Sequence, residues 1–245
     1  MRFQISTSTQ RGLCSYQQDR FTVLRKKAGI LLGVMDGHGD EVDVAEYASR
    51  ELPRVWQSLP RIGIKMKVTS SVSQINHATR QSLSGSTLSM VWVPSRGKNA
   101  YVGVLGDSPV AIRKCDGTIW VGPEHNAISN KQEREAAMAR GASFDGTYLR
   151  RGDFGLQMSR SLGDAELDSI LDRTPEVAVV PIDRGSTIIV ASDGMFYPSH
   201  TTDRVADFSI LFEMLDQGGD ASTIVENAVD RRTRDNVTAI VCKIS

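Results

Sequence analysis

The sequence predicts an α+β protein in which antiparallel sheets are covered by paired helices. Three observations lead there. The strand candidates are short apolar stretches bounded by Gly, Asp or Pro. Helical patterns fall between them in the order β-rich, two helices, β-rich, helix, β-rich, two helices, β, which is not the strict alternation of a doubly wound parallel sheet. Three acidic signatures, Asp36-Gly37-His38-Gly39, Ser192-Asp193-Gly194 and Arg234-Asp235-Asn236-Val237-Thr238, sit at the edges of apolar runs. Two strands that end in Asp and one that begins after Asp are expected to meet at one rim of an antiparallel sheet.

The strands are expected at 20–24, 29–35, 87–93, 100–105, 110–114, 177–182, 187–191 and 237–244. The first helix is expected at 41–59, where Val44, Ala48, Leu52, Val55, Trp56 and Leu59 make one apolar stripe. Pro53 inside it is expected to kink or split it. A second helix is expected at 70–83, with Val72, Ile75, Ala78 and Leu83 as its stripe. The run 131–140 is rich in Glu, Ala, Lys and Arg, and Gly141 follows as a stop signal. A late pair is expected at 202–215 and 221–229, parted by Gly218-Gly219, with Thr202 or Asp203 capping the first.

Composition excludes more than it selects. The 245 residues suit one large domain or two small ones, and 29 Lys plus Arg balance 29 Asp plus Glu, so no net charge argues for nucleic acid or an anionic membrane. No apolar run approaches the roughly 20 residues of a membrane span, and residues 1–6 lack the apolar core of a signal peptide. Cys14, Cys115 and Cys242 are odd in number and far apart, so they form neither a disulfide framework nor a metal-ligand pattern. A reducing, cytoplasmic setting is the expectation.

The chemistry lies in the carboxylates. A strand fixes an Asp at its edge and leaves it open, and three carboxylates gathered there repel unless a cation lies between them. Oxygen donors of this kind suit Mg²⁺ or Mn²⁺ over Zn²⁺ or copper, and a pair of such ions activates water for attack on a phosphoryl group. His38 follows Asp36 by two residues and titrates near neutral pH, as a proton donor to a leaving alkoxide must. Each signature taken singly reads more readily as a turn, because Asp-Gly is a common turn pair.

The ordered set resembles a known family, the metal-dependent protein serine/threonine phosphatases of type 2C. The resemblance runs over nearly the whole chain through Gln17-Gln18-Asp19-Arg20, Val34-Met35-Asp36-Gly37-His38-Gly39, Gly85-Ser86-Thr87, Leu105-Gly106-Asp107-Ser108 and Pro123-Glu124-His125-Asn126. It continues through Ser159-Arg160-Ser161-Leu162-Gly163-Asp164, Pro175-Glu176-Val177, Ala191-Ser192-Asp193-Gly194 and Arg234-Asp235-Asn236-Val237-Thr238. It implies one phosphatase domain over 1–245, folded as a four-layer α/β/β/α sandwich of two packed antiparallel sheets flanked by helix pairs. It implies that Asp36, Asp193, Asp235 and the Gly37 carbonyl ligate two Mg²⁺ or Mn²⁺ ions, that Asp19 holds their water from behind, and that Asp107 helps a weaker third. His38 would be the general acid, the substrate a phosphoprotein, the partner a serine/threonine kinase or its targets, and the chain a monomer.

The chain departs from the family pattern at four places. The Arg that usually grips the substrate phosphate, five residues before the opening Asp, is Cys14 here, which leaves Arg11 as the candidate for that role. Gln18 stands where many members have Glu, Pro109 follows Gly-Asp-Ser in place of Arg, and Tyr197 stands where another Asp commonly holds the third metal. These departures predict retained metal binding with altered or weakened turnover. Two other readings therefore stand beside the protein phosphatase: a catalytically weak phosphatase-like binding module, and a metal-dependent hydrolase of small phosphoesters.

Overall fold

The computed structural model describes residues 1–40, 43–60, 62–197 and 203–245. Two five-stranded antiparallel sheets lie at its centre. With strands numbered along the chain, the first runs β1 (Phe3–Gln10), β16 (Val237–Ile244), β15 (Thr187–Ala191), β8 (Val110–Arg113), β9 (Ile119–Val121). The second runs β14 (Glu176–Pro181), β7 (Asn99–Leu105), β6 (Leu88–Pro94), β3 (Gly29–Met35), β2 (Arg20–Lys26). A small sheet of β13 (Leu162–Gly163), β5 (Gly85–Ser86) and β4 (Gly37–His38) sits beyond the end of β3. Another, of β10 (Ser143–Phe144), β11 (Leu149–Arg151) and β12 (Phe154–Leu156), lies against α3 (Lys131–Ala139).

Alternation along the strands divides the apolar residues into layers. Ile30, Leu32 and Val34 of β3 meet Val190 of β15 and Ile240 of β16 in a core between the two sheets. Leu31 and Met35, on the other face of β3, pack against Leu52 and Trp56 of α1 (Asp43–Ser58) and Val68 and Val72 of α2 (Ile64–Thr79). Ile189 and Val241 pack outward against Phe208 and Phe212 of α4 (Arg204–Asp216) and Ile224 of α5 (Ala221–Asp230). The order is therefore helix pair, sheet, sheet, helix pair. Both faces of each central strand are covered, which is why 29–35 reads as one unbroken apolar run.

Several expectations need correction. The strand bounds shift by one or two residues, and β1 was not expected because its Ser and Thr hide its pairing with β16. The first helix continues as one helix through Pro53. Leu52 and Trp56, on either side of the proline, are buried, and their burial outweighs the missing backbone bond. The second helix begins at Ile64 and ends at Thr79, so Leu83 lies outside it and is 73% exposed. Asp203 caps α4 by accepting the Ala206 amide at 3.1 Å. The expected start at 41 and the alternative cap Thr202 lie outside the described residues.

The expected single rim is also wrong. Asp36 follows a strand of the second sheet, whereas Asp193 and Asp235 flank neighbouring strands of the first. The carboxylates meet because the two sheets stack with these ends together. Among the described residues no helix is long and apolar enough to cross a membrane.

The α1 layer gives a direct test. Leu52→Ala is expected to destabilise the fold by about 2–5 kcal/mol, since it empties a fully buried site between helix and sheet. Urea unfolding followed by circular dichroism measures it.

Candidate metal centre

Asp36 is held by reciprocal bonds to Thr87, the residue between β5 and β6. Its amide donates to Thr87 Oγ1 at 3.0 Å, and the Thr87 amide donates to its carbonyl at 2.9 Å. Asp193 opens the short 3₁₀ turn Asp193–Phe196 after β15, and Asp235 lies two residues before the start of β16. Ala191 pairs with Ala239 in register, so the two acidic ends lie side by side. Contact there is so close that a Cβ on Gly194 would stand 2.1 Å from the Asn236 carbonyl oxygen. Only glycine satisfies that approach, which explains the residue after Asp193.

Asn236 ties the loop before β2 to this end. Its Oδ1 accepts the Gln18 amide at 2.6 Å, and its Nδ2 donates to the carbonyls of Arg11 at 2.9 Å and Tyr16 at 3.0 Å. That clamp sets Asp19 behind the cluster, 2% exposed, with Oδ2 accepting from Ser192 Oγ at 2.7 Å. Asp19 Oδ1 is buried without a hydrogen-bond partner. Asp107, after β7, is 3% exposed and accepts from Asn126 Nδ2 at 2.8 Å. Asp36, Gly37, His38, Asp107, Asp164, Asp193 and Asp235 all line one cleft of ≈ 470 Å³.

The carboxyl groups do not ionise freely there. Burial, followed by the charges of Asp19 and Asp193, pushes Asp36 well above the ordinary carboxylate range. Burial and then Asp235 push Asp193 up to about 7. Burial raises Asp19 to about 6 against the opposing hydroxyl bonds of Ser192 and Thr238, and burial raises Asp235 as well. The raised values mean that protons on these carboxyl groups relieve the repulsion that a cation would otherwise relieve.

These residues fit divalent cations. The donors are oxygens, the orphaned Asp19 oxygen needs a donor or water, and the carboxylates share one cleft. Among the described residues no three His, Cys, Asp or Glu side chains already close on one point as a complete ligand set. Mg²⁺ does not require that, because it keeps several waters and takes one or two carboxylates. Asp36, Gly37, Asp193 and Asp235, the expected ligands, all line that cleft.

His38 stands at the cleft wall with Nε2 at 3.0 and 2.9 Å from the two Asp164 carboxylate oxygens. Burial lowers its pKa, but Asp164 overrides burial and the net shift is upward. Asp164 is itself fixed by Ser161 Oγ, which donates to Oδ2 at 2.5 Å, and by a left-handed backbone at φ 51°. The pair lies across Gly85, where a Cβ would come 2.1 Å from Asp164 Oδ2 and 2.2 Å from His38 Nε2. Asp164 and Asn236 had no role expected from the sequence: Asp164 ends Leu162-Gly163-Asp164 and Asn236 stands just before the apolar run 237–244, and neither pattern names a partner.

Arg11 is not brought to the cleft. Its Nη1 donates to the Ser15 carbonyl at 3.1 Å within its own loop, and it is absent from the cleft lining. Cys14 Sγ donates to the Arg234 carbonyl at 3.0 Å and lies 3.9 Å from Asp235 Oδ1. Tyr197 ends the turn that Asp193 opens and does not line the cleft.

The raised acids set a pH dependence. The folded state holds protons on Asp19 up to about pH 6 and on Asp193 up to about pH 7, while the unfolded chain releases them near the ordinary carboxylate value. Folded protein therefore binds more protons in this window, and the cluster's contribution to stability falls as pH rises through it. Metal-free protein is expected to melt at a lower temperature at pH 8 than at pH 5.5. Mn²⁺ should raise the melting temperature more at pH 8, where fewer protons compete. Scanning calorimetry with and without Mn²⁺ checks both signs.

Comparison with known proteins agrees with this geometry. The family model described as protein phosphatase 2C matches residues 4–237. A rice protein (Oryza sativa subsp. japonica) named probable protein phosphatase 2C 56 is 27% identical over 249 residues, covering 96% of this chain. The chain spans 68% of that relative's length and 61% of the length of an Arabidopsis thaliana relative. Among solved structures, the serine-threonine phosphatase 2C of Toxoplasma gondii superposes with a TM-score of 0.80 at 18% identity, covering 99% of this chain and 95% of that one. The catalytic domain of the serine threonine protein phosphatase PstP, in complex with two manganese ions, gives 0.69 at 18% identity, with 99% and 98% covered. At these identities the structures establish the fold, and the family match over most of the chain establishes more: the chain belongs to the protein phosphatase 2C family.

Proposed function

We propose that this chain hydrolyses phosphoserine and phosphothreonine monoesters on proteins, with two Mg²⁺ or Mn²⁺ ions as cofactors. The observation that carries the reading is the convergence of Asp36, Asp193 and Asp235 with the His38–Asp164 pair in one cleft. When bound, the ions neutralise phosphoryl charge and acidify the attacking water. PstP, solved with two manganese ions, supports that number and type of ion. Asp36, Asp193, Asp235 and the Gly37 carbonyl would hold them. Asp19 would orient water from behind the ligands, and Asp107 would serve a weaker third ion.

The remaining work falls to this chain's own groups. Water would attack phosphorus and give up a proton to solvent, the ester P–O bond would break, and the departing serine or threonine oxygen would take a proton from His38 Nδ1, the ring nitrogen that Asp164 does not engage. Asp164 orients that ring and favours its protonated form. Gly85 leaves the space in which the two side chains meet.

Residues 1–245 are read as one phosphatase domain, acting as a monomer in the cytoplasm on targets of a serine/threonine kinase. One observation favours a second reading, a phosphatase-like module that binds phosphoprotein with weak turnover. No Lys or Arg lines the cleft among the described residues, and Arg11 is engaged elsewhere.

Hydrolysis of a phosphothreonine peptide with Mn²⁺ decides between them. Asp193→Asn is expected to lower the rate about 100-fold or more. His38→Gln should lower it about 100-fold on the peptide and far less on p-nitrophenyl phosphate, whose phenolate leaves without a proton. Phosphopeptide binding with a wild-type rate equal to that of Asp193→Asn would favour the binding module.

A further inference from the structure

The metal cleft opens into a second hollow of ≈ 610 Å³, and the two share Gly39, Leu83, Phe154 and Glu166 in their walls. Two large apolar side chains stand on this shared wall in water. Leu83, in the turn after α2, is 73% exposed, and Phe154, at the start of β12, is 50% exposed. They come from segments far apart in sequence, yet the fold sets both beside the catalytic cleft. Exposed apolar side chains gathered at one rim mark a contact surface more often than isolated ones do.

The charge on the same wall has one sign. Asp40 and Glu166 line the second hollow, and no Lys or Arg lines either cavity among the described residues. The ion pairs nearby are formed by other carboxylates, Asp168 with Arg80 and Arg173, and Asp145 with Arg150. Arg151 approaches Glu166 but donates its Nη1 to the backbone carbonyl at 3.1 Å. Glu166 and Asp40 both line the hollow, and an acidic segment entering there would meet the two of them with no Lys or Arg among the described lining residues.

We propose that this wall selects the sequence around the phosphorylated residue: an apolar neighbour rests on Leu83 and Phe154, and a Lys or Arg beyond it faces Asp40 and Glu166. The occupant is a phosphopeptide, because the hollow is continuous with the cleft that takes the phosphoryl group and its charge complements a basic flank. This rests on the phosphatase reading above and adds the substrate's local chemistry to it. Leu83 and Glu166 act here as specificity-determining residues and leave the chemical step to the carboxylates and His38.

Three phosphothreonine peptides test it, with flanks on both sides so that strand direction does not matter. The first carries Leu next to the phosphothreonine and Arg beyond it. The second replaces Leu by Ala, and the third replaces Arg by Glu. With Mn²⁺, wild-type kcat/KM is expected to favour the first over the second by about tenfold. It should favour the first over the third by about fivefold at low salt, shrinking as salt is added. Leu83→Ser should abolish the first preference and keep the second, while Glu166→Lys should reverse the second and keep the first. Each ratio is taken within one protein, so a change in folded fraction cancels. Equal kcat/KM for all three peptides on wild type overturns the proposal and leaves the phosphatase reading standing. Hydrolysis of none of them overturns both.

Discussion

The repulsion among Asp19, Asp36, Asp193 and Asp235 is the constraint on which the rest of this structure depends. Four carboxyl groups share one poorly solvated end of the molecule, and each raises the cost of ionising the next. A fold does not gather such groups for stability. Apolar residues of similar size would cost less, so the gathering requires a rigid frame and something to neutralise it. The frame is the stacking of two antiparallel sheets, whose core of Ile30, Leu32, Val34, Val190 and Ile240 locks together the strands that present the acids.

Around that end the polar contacts are arranged to hold positions. Asn236 fastens the loop 11–18 to β16 through three hydrogen bonds and so fixes Asp19 beneath the cluster. Gly194 and Gly85 permit approaches near 2 Å from a hypothetical Cβ, the first bringing Asp193 against Asp235 and the second letting His38 reach Asp164. The carboxylate cluster and the His38 imidazole face one cleft from different origins, one built on strand ends and the other on the small β4–β5–β13 sheet. On the proposed reading, charge neutralisation and proton donation reach the substrate without sharing a structural element.

Much of this was legible in the chain and some was not, for physical reasons. Fully covered strands such as 29–35 and 237–244 announce themselves as apolar runs, the first followed by Asp36 and the second preceded by Asp235, and the three candidate metal carboxylates follow from that pattern. Local patterns do not report partners. That Asp36 belongs to one sheet and Asp193 and Asp235 to the other is a property of stacking. Asp164 reads as the end of a Leu-Gly-Asp turn until the fold lays it against His38. Arg11 had a plausible spacing, but its own loop offered the Ser15 carbonyl first. Pro53 was expected to break α1, yet burial of Leu52 and Trp56 on the sheet outweighed the local rule.

On the proposed reading, this cluster holds two divalent cations in place of protons. Calorimetric titration of metal-free protein with Mn²⁺ at pH 7, in two buffers of different ionisation enthalpy, tests it most directly. The expected result is two equivalents bound, with protons released on binding, and loss of at least one equivalent in Asp193→Asn. Binding without proton release, or the same stoichiometry in Asp193→Asn as in the wild type, would contradict it.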